Sequence, residues 1–126
     1  MKPRVYQTGA VVRFDETPLT NVPLFAQEEF SGCLLGFRPG QVLPRHTHAH
    51  EHEVFDVLAG QGLIWLAGQP VRAGPGAVVF VPAGVEHGFE NDGVENWVIR
   101  ATIHARTYLR RALWRAILKR LGRAAR

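Results

Sequence analysis

The chain has a single cysteine, Cys33, among 126 residues. One thiol excludes an internal disulfide and gives no reason to expect a secreted, stapled scaffold. No window approaches the roughly 18 uninterrupted apolar residues that a membrane-spanning helix needs. The opening residues, MKPRVYQTGAVVRFDE, lack the apolar stretch of a signal peptide. A soluble, cytoplasmic protein is the expectation. Sequence repeats and low-complexity linkers are also missing, and the length suits one domain with one real core. Acid is absent from the last 21 residues. Residues 1–105 hold 7 Lys/Arg against 11 Asp/Glu, a net −4, whereas residues 106–126 hold 8 Lys/Arg and no acid, +8. The overall charge of +4 therefore describes neither part, and it is no argument that the body binds nucleic acid.

Glycine and proline, at 13 and 8 residues, are plentiful. They predict many tight turns and hence short strands. Val5–Phe14 reads as an opening strand and Asp15–Pro23 as a turn-like stretch with two prolines, while Leu24–Phe30 is ambiguous. Further strands are expected at Gly32–Phe37, Val42–His48, Glu53–Leu58, Leu63–Leu66, from Val71, at Ala77–Val81, His87–Glu90 and Trp97–Ile103. Ala77–Val81 reads as the clearest buried strand. Phe37, Phe55, Trp65, Phe80, Phe89 and Trp97 are expected mostly in the core, and Cys33 as a small core residue. Short strands at regular spacing indicate an all-β barrel or sandwich. From Arg106 the period changes: Leu109, Leu113, Ile117 and Leu121 recur every four residues, predicting a basic amphipathic helix that ends near Gly122.

The chemistry concentrates between Gly40 and Gly60, where His46, His48, His50, Glu51, His52 and Glu53 crowd together. Residues two apart in a strand share a face, so His46 and His48 can reach a common ion. Glu53 opens the next strand and can turn a carboxylate toward the same point. The best candidate for a fourth ligand is His87, just after Pro82-Ala83-Gly84. Three imidazoles and a carboxylate suit Fe, Mn, Ni, Cu, Co or Zn and leave positions open for chemistry.

Gly40-x5-His46-x-His48-x4-Glu53-x6-Gly60 resembles the first conserved motif of the cupin superfamily. Gly76-x5-Pro82-x-Gly84-x2-His87-x3-Asn91 resembles the second, and 15 residues separate Gly60 from Gly76. The resemblance spans residues 40–91 and implies a double-stranded β-helix, or jelly-roll, barrel, expected to occupy residues 1–105; the basic helix of residues 106–126 lies outside the resemblance. It implies that His46, His48, Glu53 and His87 ligate one divalent transition-metal ion. It places Gly40, Gly60, Gly76 and Gly84 at turns and gives Asn91 a turn-stabilising role. His50, Glu51 and His52 are then rim residues. A shifted register using His48 and His50 breaks the spacing from Gly40, and a cupin that uses no metal is the bland alternative.

The resemblance implies a mononuclear metalloenzyme, most like dioxygenases and related oxidoreductases, with isomerases and decarboxylases close behind. Glu53 is the candidate catalytic residue if it leaves the metal to accept a proton. The alternative is a non-catalytic cupin that binds a small molecule as a sensor. A small-molecule substrate or ligand is the expected partner, in a homodimer. The tail is expected to pack on the barrel or on a partner subunit. A nucleic-acid or membrane-surface role for residues 106–126 is a sharper, less favoured reading.

Overall fold

The computed structural model describes residues 2–16, 19–105 and 116–121. A one-turn helix, α1 (Thr8–Val11), precedes nine strands: β1 (Thr20–Gln27), β2 (Phe30–Phe37), β3 (Val42–His46), β4 (Glu51–Ala59), β5 (Gly62–Leu66), β6 (Gln69–Ala73), β7 (Val78–Val81), β8 (His87–Glu90) and β9 (Trp97–Ala105). All pair antiparallel, in a five-stranded sheet ordered β1-β2-β9-β4-β7 and a four-stranded sheet ordered β3-β8-β5-β6. Consecutive strands sit in different sheets at several points, which is the jelly-roll pattern expected from the sequence.

The core lies between the sheets. Along β4, Glu53, Phe55 and Val57 are buried while their neighbours are half-exposed, the period-2 signature of one inward face. Phe37, Phe55, Phe89 and Trp97 form the aromatic centre, with Phe55–Phe89 centroids at 4.8 Å and Phe37–Trp97 at 5.3 Å. Both spacings fall in the range where aromatic pairs attract. Cys33 is buried beside them. Burial, and next the negative charge of Glu53, push its thiol pKa up, so it stays a protonated core residue.

Five elements differ from the sequence reading. The opening strand expected at Val5–Phe14 is instead α1 with irregular flanks. This arm lies against the outside of β2, where a Cβ on Gly36 would meet the Arg13 carbonyl at 2.3 Å. Tyr6 also donates its hydroxyl proton to the Leu24 carbonyl. The arm therefore lies on a sheet through Tyr6, Arg13 and Phe14 rather than joining one as a strand. Conversely, Thr20–Pro23, the end of the stretch expected to turn, belongs to β1, while Thr17 and Pro18 lie outside the described residues. An edge strand tolerates Pro23, and the register shifts between Pro23 and Phe25.

Strand β7 forms, but only Val81 is buried; Val78 and Phe80 are 67% and 62% exposed. It is the sheet edge and nothing covers its outer side among the described residues. Phe80 is therefore not core. Trp65 is half-buried on the outer face of β5, beneath the Arg45 guanidinium at 3.9 Å. Lastly, β3 stops at His46, short of His48.

Residues 116–121 are helical, in line with the expected tail helix. The rest of that helix lies outside the described residues. Ile117, Leu118 and Leu121 are exposed. No helix among the described residues is long and apolar enough to cross a membrane.

Candidate metal centre

The two histidine-bearing stretches meet through β3 and β8, where His46 and His87 are directly paired. A register shift between Leu43 and His46 places two β3 residues, Pro44 and Arg45, against Gly88 alone. That bulge turns both Leu43 and His46 inward although they are three apart. Gly88 permits it: a Cβ there would meet Arg45 backbone and the Leu43 carbonyl at 3.0 Å.

His48 lies beyond the strand and is placed by the loop. Its carbonyl accepts from the Gly84 amide at 2.8 Å, tying the β3–β4 connection to the turn that precedes His87. Near the start of β4, the outward His52 accepts at Nδ1 from the Ala83 amide at 2.9 Å, a second tie to that turn. At the far end the Gly40 amide donates to the Asn91 carbonyl at 2.7 Å. Gly40, Gly60, Gly76 and Gly84 all have positive φ, as the turn assignment requires. Asn91 is fully buried and holds its own turn: Nδ2 donates to the Phe37 and Glu95 carbonyls, and Oδ1 accepts from the Gly93 amide.

Inside this frame the ring centroids of His46, His48 and His87 are 4.4–5.6 Å apart. Glu53 Oε1 lies 3.3 Å from His48 Nε2 and 3.4 Å from His87 Nε2. Two trios have ligand atoms within 4.8 Å of one another: His46, His48 and His87, and His48, Glu51 and Glu53. The second trio brings Glu51 into the site, where the sequence reading left it on the rim. Its parity with Glu53 along β4 was the available signal. His50 is exposed and belongs to neither trio.

His46 Nδ1 is 2.7 Å from the Pro44 carbonyl and His87 Nδ1 is 2.9 Å from the Val85 carbonyl. A carbonyl can only accept, so both rings carry their proton on Nδ1 and leave the Nε2 lone pair free. Among the described residues four buried side-chain atoms lack a hydrogen-bond partner, and two of them, Glu53 Oε1 and His87 Nε2, face each other here. Buried polar atoms without partners are uncommon and call for an explanation. A cation bound between them supplies one. Burial works against a charge on His87, but the Glu53 carboxylate and the Val85 carbonyl outweigh it and hold its pKa above the ordinary value. The pocket thus attracts positive charge. Phe55 and Phe89 lie under the site, 5.8 and 6.4 Å from the His87 ring, and close its floor to water.

The sequence matches the family model described as the cupin domain over residues 33–101, which takes in every residue of this cluster. The chain belongs to the cupin family. Solved cupin-like structures superpose on it closely. A Thermus thermophilus protein is 22% identical, covering 80% of this chain and 96% of that one, with a TM-score of 0.77. An RmlC-like cupin from Desulfovibrio desulfuricans is 27% identical, with 82% and 97% covered and a TM-score of 0.74. A Thermotoga maritima protein described as a predicted oxalate decarboxylase is 24% identical, with 75% and 98% covered and a TM-score of 0.64. A comparison with curated proteins finds no significant match. In this cupin the donor set is suited to a divalent metal.

Proposed function

We propose that this cupin is a mononuclear metal-dependent oxidoreductase of the dioxygenase type, acting on a small organic molecule. His46, His48, Glu53 and His87 are the ligands of its ion. The observation that carries this reading is the pair of unpartnered buried atoms, Glu53 Oε1 and His87 Nε2, convergent with His48 Nε2. Three neutral imidazoles and one carboxylate favour a borderline first-row ion such as Fe, Mn, Ni, Cu, Co or Zn. Such an ion, when bound, supplies Lewis acidity and, if redox-active, a path for electrons to dioxygen.

The chain's own residues do the remaining work. The Pro44 and Val85 carbonyls keep two rings in the tautomer that presents Nε2. Phe55 and Phe89 exclude water from below. His46 and His48 are half-exposed, so a small substrate enters on their side. Glu53 is the one carboxylate on the floor, and it accepts a substrate proton when free of other duty.

A second reading is a binding cupin without turnover. It is favoured by the position of the acids that flank His87: Glu86 is exposed, and Glu90 lies on the opposite face of β8 from His87. Metal analysis of the purified protein, followed by an oxygen-electrode screen of small organic substrates, separates the two. Redox-active metal with oxygen uptake on some substrate supports the enzyme. Tightly held zinc with no uptake on any substrate contradicts it and leaves the binding role.

A further inference from the structure

Each neutral imidazole in the site has one proton and two ring nitrogens, and only the nitrogen without the proton can ligate. For His46 and His87 the choice is made by main chain: the carbonyl two residues earlier accepts a hydrogen bond from Nδ1–H in both. No side-chain substitution removes those acceptors. His48 has a different environment. Its own carbonyl is engaged by Gly84, and its ring stands between two carboxylates. Glu53 Oε1 faces Nε2 at 3.3 Å and Glu51 Oε2 faces Nδ1 at 3.3 Å. Glu53 is buried inside, whereas the Glu51 side chain is 31% exposed at the mouth. The two carboxylates compete as acceptors for the one ring N–H, and the tautomer of His48 depends on which nitrogen carries it.

We propose that Glu51 is a positioning residue: its carboxylate holds the His48 proton on Nδ1 and so presents Nε2 to the ion. The role rests on the reading of His46, His48, Glu53 and His87 as ligands. It makes His48 the one histidine of the three whose ligating tautomer is set by a side chain. Glu51 and Glu53 share the inward face of β4, so the same strand that brings the carboxylate ligand also brings the group that orients a histidine. Acidic partners of ligating histidines raise ligand basicity and fix ring orientation, and losing one weakens metal binding about 10- to 100-fold.

The test uses the metal-free chain with cobalt(II) as probe, its affinity read by competition with a chelator. Glu51→Ala is expected to weaken cobalt binding about 10- to 100-fold, and Glu51→Gln, whose amide oxygen still accepts the Nδ1 hydrogen bond, to recover most of that loss. Long-range 1H–15N spectra of the metal-free protein give an independent readout. His48 is expected as the Nδ1–H tautomer in the wild type and to shift toward Nε2–H in Glu51→Ala, with His46 and His87 unchanged. A wild-type chain that takes up no cobalt overturns the ligand set itself. Equal affinity of wild type and Glu51→Ala, with the His48 tautomer unmoved, overturns only the role of Glu51. Loss in Glu51→Ala as complete as in His48→Ala, with no rescue by Gln, makes Glu51 a ligand and also overturns the positioning role.

Discussion

Replacing Asn91 with Ala should destabilise the barrel while leaving its metal affinity nearly unchanged. The amide is fully buried and makes three hydrogen bonds, to the Phe37 carbonyl at 3.1 Å, to the Glu95 carbonyl at 2.8 Å and from the Gly93 amide at 3.1 Å. Truncation removes all three. The Glu95 and Gly93 groups are near solvent and can recover a water partner, but Phe37 is buried, so its carbonyl has no such recourse. At about 1 kcal/mol per hydrogen bond, with more for the buried orphan, the loss comes to about 2–4 kcal/mol. For a domain of this size that lowers the midpoint of thermal unfolding by on the order of 10 °C. Asn91→Asp should be at least as harmful, because a carboxylate cannot donate to the Phe37 and Glu95 carbonyls and brings a buried charge against both. Urea denaturation of the three proteins, with chelator-competition titration of metal, measures both effects. A loss below about 1 kcal/mol, or lost metal binding with unchanged stability, would refute the turn-holding role.

Gly60→Ala should be far more damaging than Gly40→Ala. Both have positive φ, but a Cβ at Gly60 meets the Asn96 carbonyl at 2.2 Å whereas one at Gly40 meets nothing within 4 Å. Urea midpoints should show a loss of roughly 1–2 kcal/mol at Gly40, the left-handed backbone term alone, and poor folding at Gly60. His52→Ala should weaken stability by about 1 kcal/mol through the lost Ala83 contact yet keep the metal, and His50→Ala should alter neither; denaturation and metal content check both. The Arg72 hydrogen bond holds the Asp92 carboxyl below its ordinary pKa. A depressed carboxylate adds stability above the unfolded value, and that is lost as pH falls through the folded one. Arg72→Ala should therefore flatten the acid side of the urea-midpoint profile below about pH 4 in low salt, slightly because the pair is exposed.

Much of the site was legible because its spacing is local. The parity of Glu53, Phe55 and Val57, and the turns at Gly40, Gly60, Gly76 and Gly84, follow from strand period and backbone sterics that neighbours in sequence already encode. What escaped depends on partners distant in the chain. Whether Val78 and Phe80 are covered is decided by which strand is the sheet edge, and an apolar run cannot report that. Pro23 looked like a turn residue because its edge position was unknown. Residues 5–14 carry strand-like composition, but they form an arm that meets β1 at Tyr6 and β2 at Arg13 and Phe14. The tie made by His52 escaped because its partner, Ala83 thirty-one positions on, comes within reach only when the chain folds back; Glu51, three positions from His48, had a local signal in its parity with Glu53.

The claim that one ion sits between His46, His48, Glu53 and His87 is tested most directly by the metal content of single-alanine variants, reloaded with the same ion and dialysed. The wild type and His50→Ala should each retain about one ion per chain, and His48→Ala and His87→Ala should lose most of it. If His50→Ala empties the site, or if His48→Ala and His87→Ala both stay full, the account is contradicted.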